Sequence, residues 1–348
     1  MKTILVTGGC GFIGSHTCYL LLKKRYKIII LDSNINSSEK VIGKLESLLN
    51  YKNILNKFIF IKGDLCDGNL IEKIFKEAKE DNEPISSVIH FAGLKSVRES
   101  ILNPLMYWDN NLGGSINLFK FMEKYECRTI IFSSSASVYQ IQDCSLLSES
   151  SPLKPSNPYG QTKFAIESLL NDIFLNSKHK WKIANLRYFN PIGAHKSGLI
   201  GESPIGISNN IFPIINKVAC GRISKLQIYG NDWPTHDGTC LRDYIHVMDL
   251  ADGHIAALEH LEHNKSQILN MNLGTGKGTS VLELINIFEQ VNNVKIDYEF
   301  TKRRKGDNAI VIADNSKADS LLNWQPKRSI YEMCKDGWNW QLKNIDGY

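Results

Sequence analysis

Tyr159 and Lys163 stand four residues apart in the stretch NPYGQTKFAIESLL. On a helix, this spacing places both side chains on one face. A phenol normally loses its proton near pH ~10, and a neighbouring ammonium favours the phenolate, so we expect Tyr159 to titrate closer to neutral pH. The pair is therefore a candidate proton-transfer device, although the same spacing on an exposed helix face has no chemical meaning.

A run of three serines supports the chemical interpretation. Ser133 to Ser135 follow an apolar strand-like run, and parallel sheets bind ligands at the carboxyl ends of their strands. A serine beside a tyrosine can relay a proton during removal of hydride from an alcohol. Sugar-nucleotide dehydratases carry a carboxylate directly after this serine or threonine, whereas Ser135 is followed by Ala136 and Ser137. Elimination of water is therefore not the expected reaction.

The glycine-rich start, TGGCGFIG, predicts a dinucleotide-binding turn. Gly8, Gly11 and Gly14 lie between a strand-like run and a helical pattern, as a turn that approaches a pyrophosphate requires. Asp32 ends the next strand-like run, 18 residues beyond Gly14. An acidic side chain at this place accepts from the adenosine ribose hydroxyls and repels a 2′-phosphate, which favours NAD over NADP.

These residues need a scaffold, and the first half of the chain alternates β-branched runs with helical patterns. We predict strands at Thr3–Thr7, Ile28–Asp32, Phe58–Lys62, Ser87–Phe91, Arg128–Ser133 and Lys182–Arg187. We predict helices at Ile13–Lys24, Glu39–Asn50, Asn69–Glu80, Pro104–Tyr125, Tyr159–Asn176, Val247–Glu262 and Val281–Gln290, and a loop at Asn190–Ser208. The alternation predicts an α/β fold with a Rossmann-like doubly wound parallel sheet.

The pattern loosens after Arg187, which indicates a second, smaller α/β domain. We place the NAD-binding domain at residues 1–188 and the substrate domain at residues 189–348, and expect residues 235–262 to return to the first domain.

Composition narrows the functional classes. The chain has 348 residues, 43% hydrophobic and 22% charged, and a net charge of +5 that is scattered rather than gathered on one run, which argues against nucleic-acid binding. Eight cysteines show no CxxC pair and no zinc spacing, so we expect reduced thiols and no metal. The sequence suggests neither a signal peptide nor a membrane span, and a cytoplasmic protein is expected.

Several longer stretches resemble the UDP-glucose 4-epimerase family of extended short-chain dehydrogenases/reductases, nearly from end to end. The matching stretches are VTGGCGFIGSHT, VIHFAGLKSVRES, FSSSASVY, NPYGQTKF, LRYFNPIGAH, GISNNIFP, YGNDWPTHDGTCLRDYIHVMDLADGHIAAL, NLGTGKGTSVLEL and RRKGD.

The resemblance implies roles for individual residues. Ser135, Tyr159 and Lys163 would be catalytic, with Tyr159 as the base. The residues implied for NAD are Gly8, Gly11, Phe12, Ile13, Gly14, Asp32, Ser33, Asn34, Asn36, Ser37, Asp64, Leu65, Phe91, Ala92, Gly93, Lys95, Asn110, Tyr159, Lys163 and Phe189. Those implied for the UDP-sugar are Lys95, Ser135, Tyr159, Asn190, Asn210, Ile211, Gln227, Ile228, Tyr229, Arg242, Tyr244, Arg304, Asp307 and Val311.

The resemblance also implies a reaction and an assembly. Hydride would pass from sugar C4 to tightly bound NAD, the keto sugar would turn over, and hydride would return to its other face. Val311 stands where a large tyrosine closes the sugar pocket in some family members, so N-acetylated UDP-sugars are expected substrates as well. A homodimer formed through the helices at Pro104–Tyr125 and Tyr159–Asn176 is implied too.

Three alternatives share these motifs. The protein could be a 4-epimerase of UDP-pentoses, a 4-epimerase of N-acetylated or uronic-acid sugars, or a catalytically silent NAD-binding sensor or scaffold. The silent alternative is disfavoured because Ser135, Tyr159 and Lys163 are all present.

Overall fold

A computed structural model describes residues 1–49, 57–141, 146–178, 180–206, 210–304 and 306–348. Its centre is a seven-stranded parallel sheet with the strand order β12-β7-β5-β4-β1-β2-β3. These strands are β1 (Thr3–Thr7), β2 (Lys27–Asp32), β3 (Phe58–Lys62), β4 (Ile85–His90), β5 (Thr129–Ser135), β7 (Lys182–Tyr188) and β12 (Gln267–Leu273).

Helices lie between the strands. They are α1 (Phe12–Lys23), α2 (Lys40–Leu49), α3 (Gly68–Glu80), α4 (Val97–Leu102), α5 (Pro104–Tyr107), α6 (Gly114–Lys124), α7 (Pro158–Asn176), α8 (Ile211–Ala219), α9 (Val247–His263), α10 (Val281–Asn292), α11 (Ser316–Leu322) and α12 (Ile330–Lys343). The shorter strands are β6 (Leu146–Leu147), β8 (Asn190–Ile192), β9 (Leu226–Tyr229), β10 (Leu241–Arg242), β11 (Tyr244–His246), β13 (Thr279–Ser280), β14 (Tyr298–Thr301) and β15 (Ile310–Ala313).

The central sheet is covered on both faces because its strands are apolar on both. Ile4 and Val6 pack in one cluster with side chains of α1, α2 and α9, while Leu5 packs in the opposite cluster with α3, α6 and α7. Each such buried aliphatic side chain stabilises the fold by roughly 1.5–3 kcal/mol. The predicted doubly wound parallel sheet is confirmed.

One predicted helix is wrong in its middle. Pro104–Tyr125 is not continuous: α5 ends at Tyr107, a π-helical segment spans Trp108–Gly113, and α6 begins at Gly114. The side chain of Asn111, in the π segment, accepts from the backbone N–H of Leu94 at 2.7 Å and donates to its carbonyl at 3.1 Å. The wider π-helical turn directs the Asn111 amide toward Leu94. The apolar periodicity of the sequence does not indicate this change.

The remaining predicted helices and strands agree with the structure to within two residues where the structure describes them. Strand β12 was not predicted, and neither were the helices α4, α8, α11 and α12 or the shorter strands β6, β9 to β11 and β13 to β15. The predicted loop Asn190–Ser208 contains strand β8, and its last two residues lie outside the described ranges. Asn50, the predicted end of the second helix, also lies outside them.

Part of the second half returns to the sheet. Helix α9 packs against α1, and β12 pairs with β7 at the sheet edge. A separate cluster joins α8, α10 and α12 with β9 and β11, and includes Phe212, Phe288 and Trp338. The exact boundary between two domains stays a prediction.

Candidate active site

The proposed cofactor residues gather at the carboxyl edge of the central sheet. Gly8 follows β1, Asp32 ends β2, Phe91 follows β4, Ser135 ends β5 and Phe189 follows β7. The strand order reverses between β1 and β4, and a doubly wound sheet opens a crevice at such a point.

The glycine turn is closely packed at this crevice. Gly8 has φ +71°, and a Cβ there would lie 2.6 Å from the backbone nitrogen of Ala92. A Cβ on Gly14 would lie 2.2 Å from the carbonyl oxygen of Gly8. Helix α1 begins next to the turn at Phe12 without a side-chain cap, so its first N–H groups face the crevice as an anion site requires.

The Asp32 carboxylate is fixed at the end of β2. It accepts from the backbone N–H groups of Cys10 and Asn34, both at 2.9 Å, and from the Ser37 hydroxyl at 2.8 Å. Asp32 is 8% exposed, so the carboxylate is presented along a narrow direction. Cys10, in the glycine turn, ties the two expected cofactor segments together.

Three other predicted cofactor positions lie in the turns that follow neighbouring strands. Asp64 accepts from the N–H of Cys66 at 2.9 Å in the turn after β3, and Leu65 beside it is buried. A Cβ on Gly93 would lie 3.8 Å from Lys163 Nζ. Of the other proposed cofactor residues, Ile13 lies in the first turn of α1, Ser33 and Asn36 follow β2, and Asn110 lies in the π segment.

Helix α7 carries the candidate catalytic pair. Asn157 caps its start by accepting from the N–H of Gly160 at 2.9 Å, which places Tyr159 in the first turn. Lys163 is 4% exposed and donates to the Ser133 carbonyl at 2.7 Å. A side-chain hydrogen bond links Ser135 to Tyr159, so the structure brings Ser135, Tyr159 and Lys163 together.

The electrostatics differ from the expectation for Tyr159. Burial raises the pKa of Tyr159, and the hydrogen bond from Ser135 opposes this rise in part. The expected lowering by Lys163 is wrong for this geometry, because the ammonium points at a carbonyl and lies 5.9 Å from the centroid of the tyrosine ring. Burial also lowers the pKa of Lys163 to about 8, against the raising influence of Glu167.

The proposed substrate residues form a second, more exposed group. Arg304 donates to Asp307 at 2.8 Å and lies over the ring of Tyr229 at 5.3 Å. Arg242 donates to the carbonyls of Leu241 and Asn308, both at 2.9 Å. Two arginines can bind diphosphate oxygens, and a carboxylate can accept from ribose hydroxyls.

Not every predicted substrate residue presents its side chain here. Ile228 and Tyr244 are buried in the cluster of the second half, so these positions can offer a ligand only their backbone. Gln227, the outward residue of β9, donates to Glu299. Ile211 begins helix α8, directly after Asn210, and Asn190 begins β8.

Val311 lies between the two groups of residues. It is 8% exposed and packs in one cluster with Ala136, which follows Ser135, and with Phe189. Its strand β15 pairs with β10, where Arg242 is its partner. A small side chain at position 311 therefore borders the candidate catalytic residues.

The sequence did not indicate several polar residues that contact the predicted site residues and fix their positions. Glu202 accepts from Lys95 at 3.2 Å and from Asn210 at 2.9 Å, and Asn111 holds both backbone groups of Leu94. Glu167 stands four residues beyond Lys163, a spacing that could have indicated it. For the other two, only the folded contacts show a role.

Two further observations concern ions and membranes. The described ranges contain no cluster of three or more His, Cys, Asp or Glu side chains placed to hold a metal ion. None of the helices in these ranges combines the length and hydropathy that crossing a bilayer requires.

A parallel sheet with a glycine turn at its switch point and a Ser–Tyr–Lys set beside it defines an extended short-chain dehydrogenase/reductase. A family model described as GDP-mannose 4,6 dehydratase matches residues 5–337. In this chain, Ala136 and Ser137 follow Ser135.

Individual relatives narrow the class. A UDP-glucose 4-epimerase of Cyamopsis tetragonoloba is 50% identical over 100% of this chain and 97% of its own length. A bifunctional UDP-glucose and UDP-xylose 4-epimerase of Arabidopsis thaliana is 47% identical over 100% and 97%. The crystal structure of the Bifidobacterium longum UDP-glucose 4-epimerase with NAD⁺ and UDP has a TM-score of 0.93 at 43% identity and covers 100% of both chains. The chain belongs to the UDP-glucose 4-epimerase family.

Proposed function

We propose that this protein interconverts UDP-glucose and UDP-galactose by transient oxidation at C4, with NAD as a tightly bound cofactor. The observation that carries the proposal is the meeting of Ser135, Tyr159 and Lys163 at the sheet edge beside the glycine turn. The family of the chain supports the same reaction.

Each catalytic side chain has a distinct task. Tyr159 takes the proton of the C4 hydroxyl and later returns it, and Ser135 stabilises the phenolate by donating a hydrogen bond. Lys163 provides a buried ammonium on the same helix face, where it would bind the ribose of the nicotinamide. NAD, which the glycine turn and Asp32 would hold, would supply the hydride acceptor for C4.

The turning of the keto sugar requires a substrate held by its UDP part. Arg304 and Asp307 pair with each other, and Arg242 donates to two backbone carbonyls, so all three can exchange these partners for the nucleotide. UDP thus stays anchored while the sugar rotates. Hydride can then return to the opposite face of C4.

Incubation with a panel of UDP-sugars, without added NAD, tests this function. We expect UDP-glucose and UDP-galactose to reach the same mixture from either side, and bound NAD to be released on denaturation. Turnover only of UDP-xylose would instead support the pentose reaction, which is named for the Arabidopsis relative. Conversion of no UDP-sugar by protein that retains NAD would support the sensor alternative.

The size of the sugar is a further part of the proposal. Val311 is small and borders the catalytic group, so we propose that N-acetylated UDP-sugars are also accepted. Val311→Tyr should lower activity on the acetylated pair by more than about tenfold while changing activity on UDP-glucose by less than about threefold. Val311→Ile, which adds one methylene, is the matched control. Equal losses on both sugars in Val311→Tyr would contradict this proposal.

We also propose a homodimer and a cytoplasmic location. Ile101, Leu102, Leu105 and Met106, on α4 and α5, are 60, 70, 83 and 42% exposed, and a second copy would cover them. Light scattering with Leu105→Glu as the comparison variant tests the dimer.

The proposed cytoplasmic location is compatible with the cysteines. Those in the described ranges are free thiols, as a reducing compartment allows.

A further inference from the structure

The middle serine of the Ser133–Ser135 run has no task in the reaction proposed above. Its hydroxyl donates to Oε1 of Glu167, and both residues are buried, at 1% and 5% exposure. Glu167 lies on α7, one helical turn beyond Lys163 and two turns beyond Tyr159. The same helix face therefore carries a phenol, an ammonium and a carboxylate in order.

Glu167 is held by a buried arginine. Arg187 Nε donates to Oε1 at 3.0 Å, and its Nη2 donates to Oε2 at 2.6 Å, which is a bidentate geometry. Arg187 also donates to the hydroxyl of Tyr139 at 3.0 Å, and Tyr139 donates to Asn272 at 2.6 Å. The carboxylate is thus fixed to β5, β7 and β12 at once.

Lys163 is a buried cation whose direct contacts are uncharged. Its ammonium donates to the Ser133 carbonyl and lies 4.9 Å from the centroid of the Phe132 ring. Around it, His90 approaches from β4, and Tyr159 and Glu167 lie on its own helix. Burial keeps His90 neutral, with its pKa lowered to about 3, so the negative charge near Lys163 comes from Glu167.

We propose that Glu167 is a positioning residue for the catalytic pair: it is the fixed counter-charge of Lys163 and joins α7 to the strand end that carries Ser133 to Ser135. The inference rests on the proposed epimerisation. A purely structural role for this carboxylate is disfavoured, because a buried ion pair can often be replaced by apolar residues at little cost in stability. Its place one turn from Lys163 gives it an effect on charge that a neutral residue lacks.

The pH profile of kcat/KM distinguishes positioning from a purely structural role. Lys163 loses its charge as pH rises, and removal of a nearby negative charge makes this loss occur at lower pH. Glu167→Gln should therefore move the alkaline limb of the profile down by about one pH unit. Activity should fall about tenfold at pH ~8.5 and less than threefold at pH ~6.5.

Three further variants and one matched control complete the test. Ser134→Ala keeps the charge and should leave the alkaline limb in place, and Glu167→Asp should largely restore it. Because Glu167→Gln leaves Arg187 buried without its partner, the double variant Glu167→Met/Arg187→Met provides a second background. Its displacement should have the same direction and be smaller, because a positive charge is removed as well. Glu72→Gln breaks an exposed pair with Lys124 and is the matched control.

Two results would overturn the inference. One is a loss of the same factor at every pH in both Glu167 variants, and the other is an unmoved alkaline limb. NMR titration of ¹³C-labelled lysine side chains, with Lys163→Arg for assignment, reads the same displacement without turnover. If wild-type protein fails to epimerise UDP-sugars, the proposed function fails, while this titration still decides the role of Glu167.

Discussion

The two sides of the candidate site are built differently. On the cofactor side, Asp32 and Lys163 are 8% and 4% exposed and stand on or beside the strands of the central sheet. On the substrate side, the side chain of Arg304 is 54% exposed and Tyr229 is 43% exposed. The first set is fixed by buried backbone and hydroxyl partners, whereas the second is held by pairs at the surface.

This difference matches the two demands of the reaction. Hydride and proton transfer need atoms held in one geometry, which buried groups on a rigid sheet provide. Binding and release of a nucleotide need groups that can change partners, which exposed ion pairs of ~0–1 kcal/mol allow. The cofactor side therefore provides fixed positions for the reacting groups, and the substrate side provides contacts that the nucleotide can replace.

Acidification should give the largest difference between the two sides of the site, because it protonates buried groups on the cofactor side. Burial lowers the pKa of His16 and His90 to about 3 and that of His254 to about 4. The unfolded chain binds protons below pH ~6.5 that the folded chain does not bind, so stability is full above that value and falls as pH falls toward 4. The three rings together should remove up to about 4 kcal/mol per pH unit.

Urea unfolding at several pH values between ~7 and ~4.5 measures this slope. His254→Gln should make it shallower by about 1.4 kcal/mol per pH unit, because the variant lacks one of the three buried rings. A slope that is equal in the variant and the wild type would show that carboxylates rather than this ring govern the acid transition.

Removal of the phenol hydroxyl should give the largest loss of catalysis. Tyr159→Phe deletes the proton acceptor and should lower kcat by about 10²–10⁴-fold. Bound NAD and the unfolding midpoint should stay near the wild-type values, because the ring and its packing remain. The absorbance of the released cofactor measures bound NAD, and a coupled epimerase assay measures kcat. Wild-type kcat in this variant would remove Tyr159 from the mechanism.

Two neighbouring arginines sharpen the comparison on the exposed side. Arg304→Met should raise KM for the UDP-sugar about 10–100-fold with a smaller change in kcat, because a charged hydrogen bond contributes about 1.5–3 kcal/mol. Arg303 instead pairs with Asp232 at 2.7 Å and stacks on Trp233, so Arg303→Met should change KM less than about twofold. Equal changes in both variants would place neither side chain specifically at the nucleotide.

Much of the site could be predicted because its signals are local. The glycine turn, Asp32 at the end of the next strand and the Tyr159–Lys163 spacing each depend on residues close together in sequence, and the structure brings them to one edge. The π segment and strand β12 escaped prediction, because one depends on an inward amide and the other on a neighbouring strand.

The direction of the Lys163 ammonium shows most clearly what sequence lacks. The spacing correctly placed lysine and tyrosine on one helix face, yet the ammonium donates to the Ser133 carbonyl of another strand. Burial then raises the pKa of Tyr159, where an isolated pair would have lowered it. Desolvation depends on every element packed around a group, and no local pattern contains it.

The sequence by itself determined the fold class, the cofactor-binding turn and the type of chemistry, because periodicity and short spacings govern strands, helices and turns. Only the tertiary structure decided which buried partners hold that chemistry: Glu167 with Ser134 and Arg187, and Glu202 between Lys95 and Asn210. Glu167 and Arg187 are 20 residues apart, and Lys95 and Glu202 are 107 apart. Packing of the sheet and its helices brings them together, since a buried charge is stable only where the fold supplies its partner.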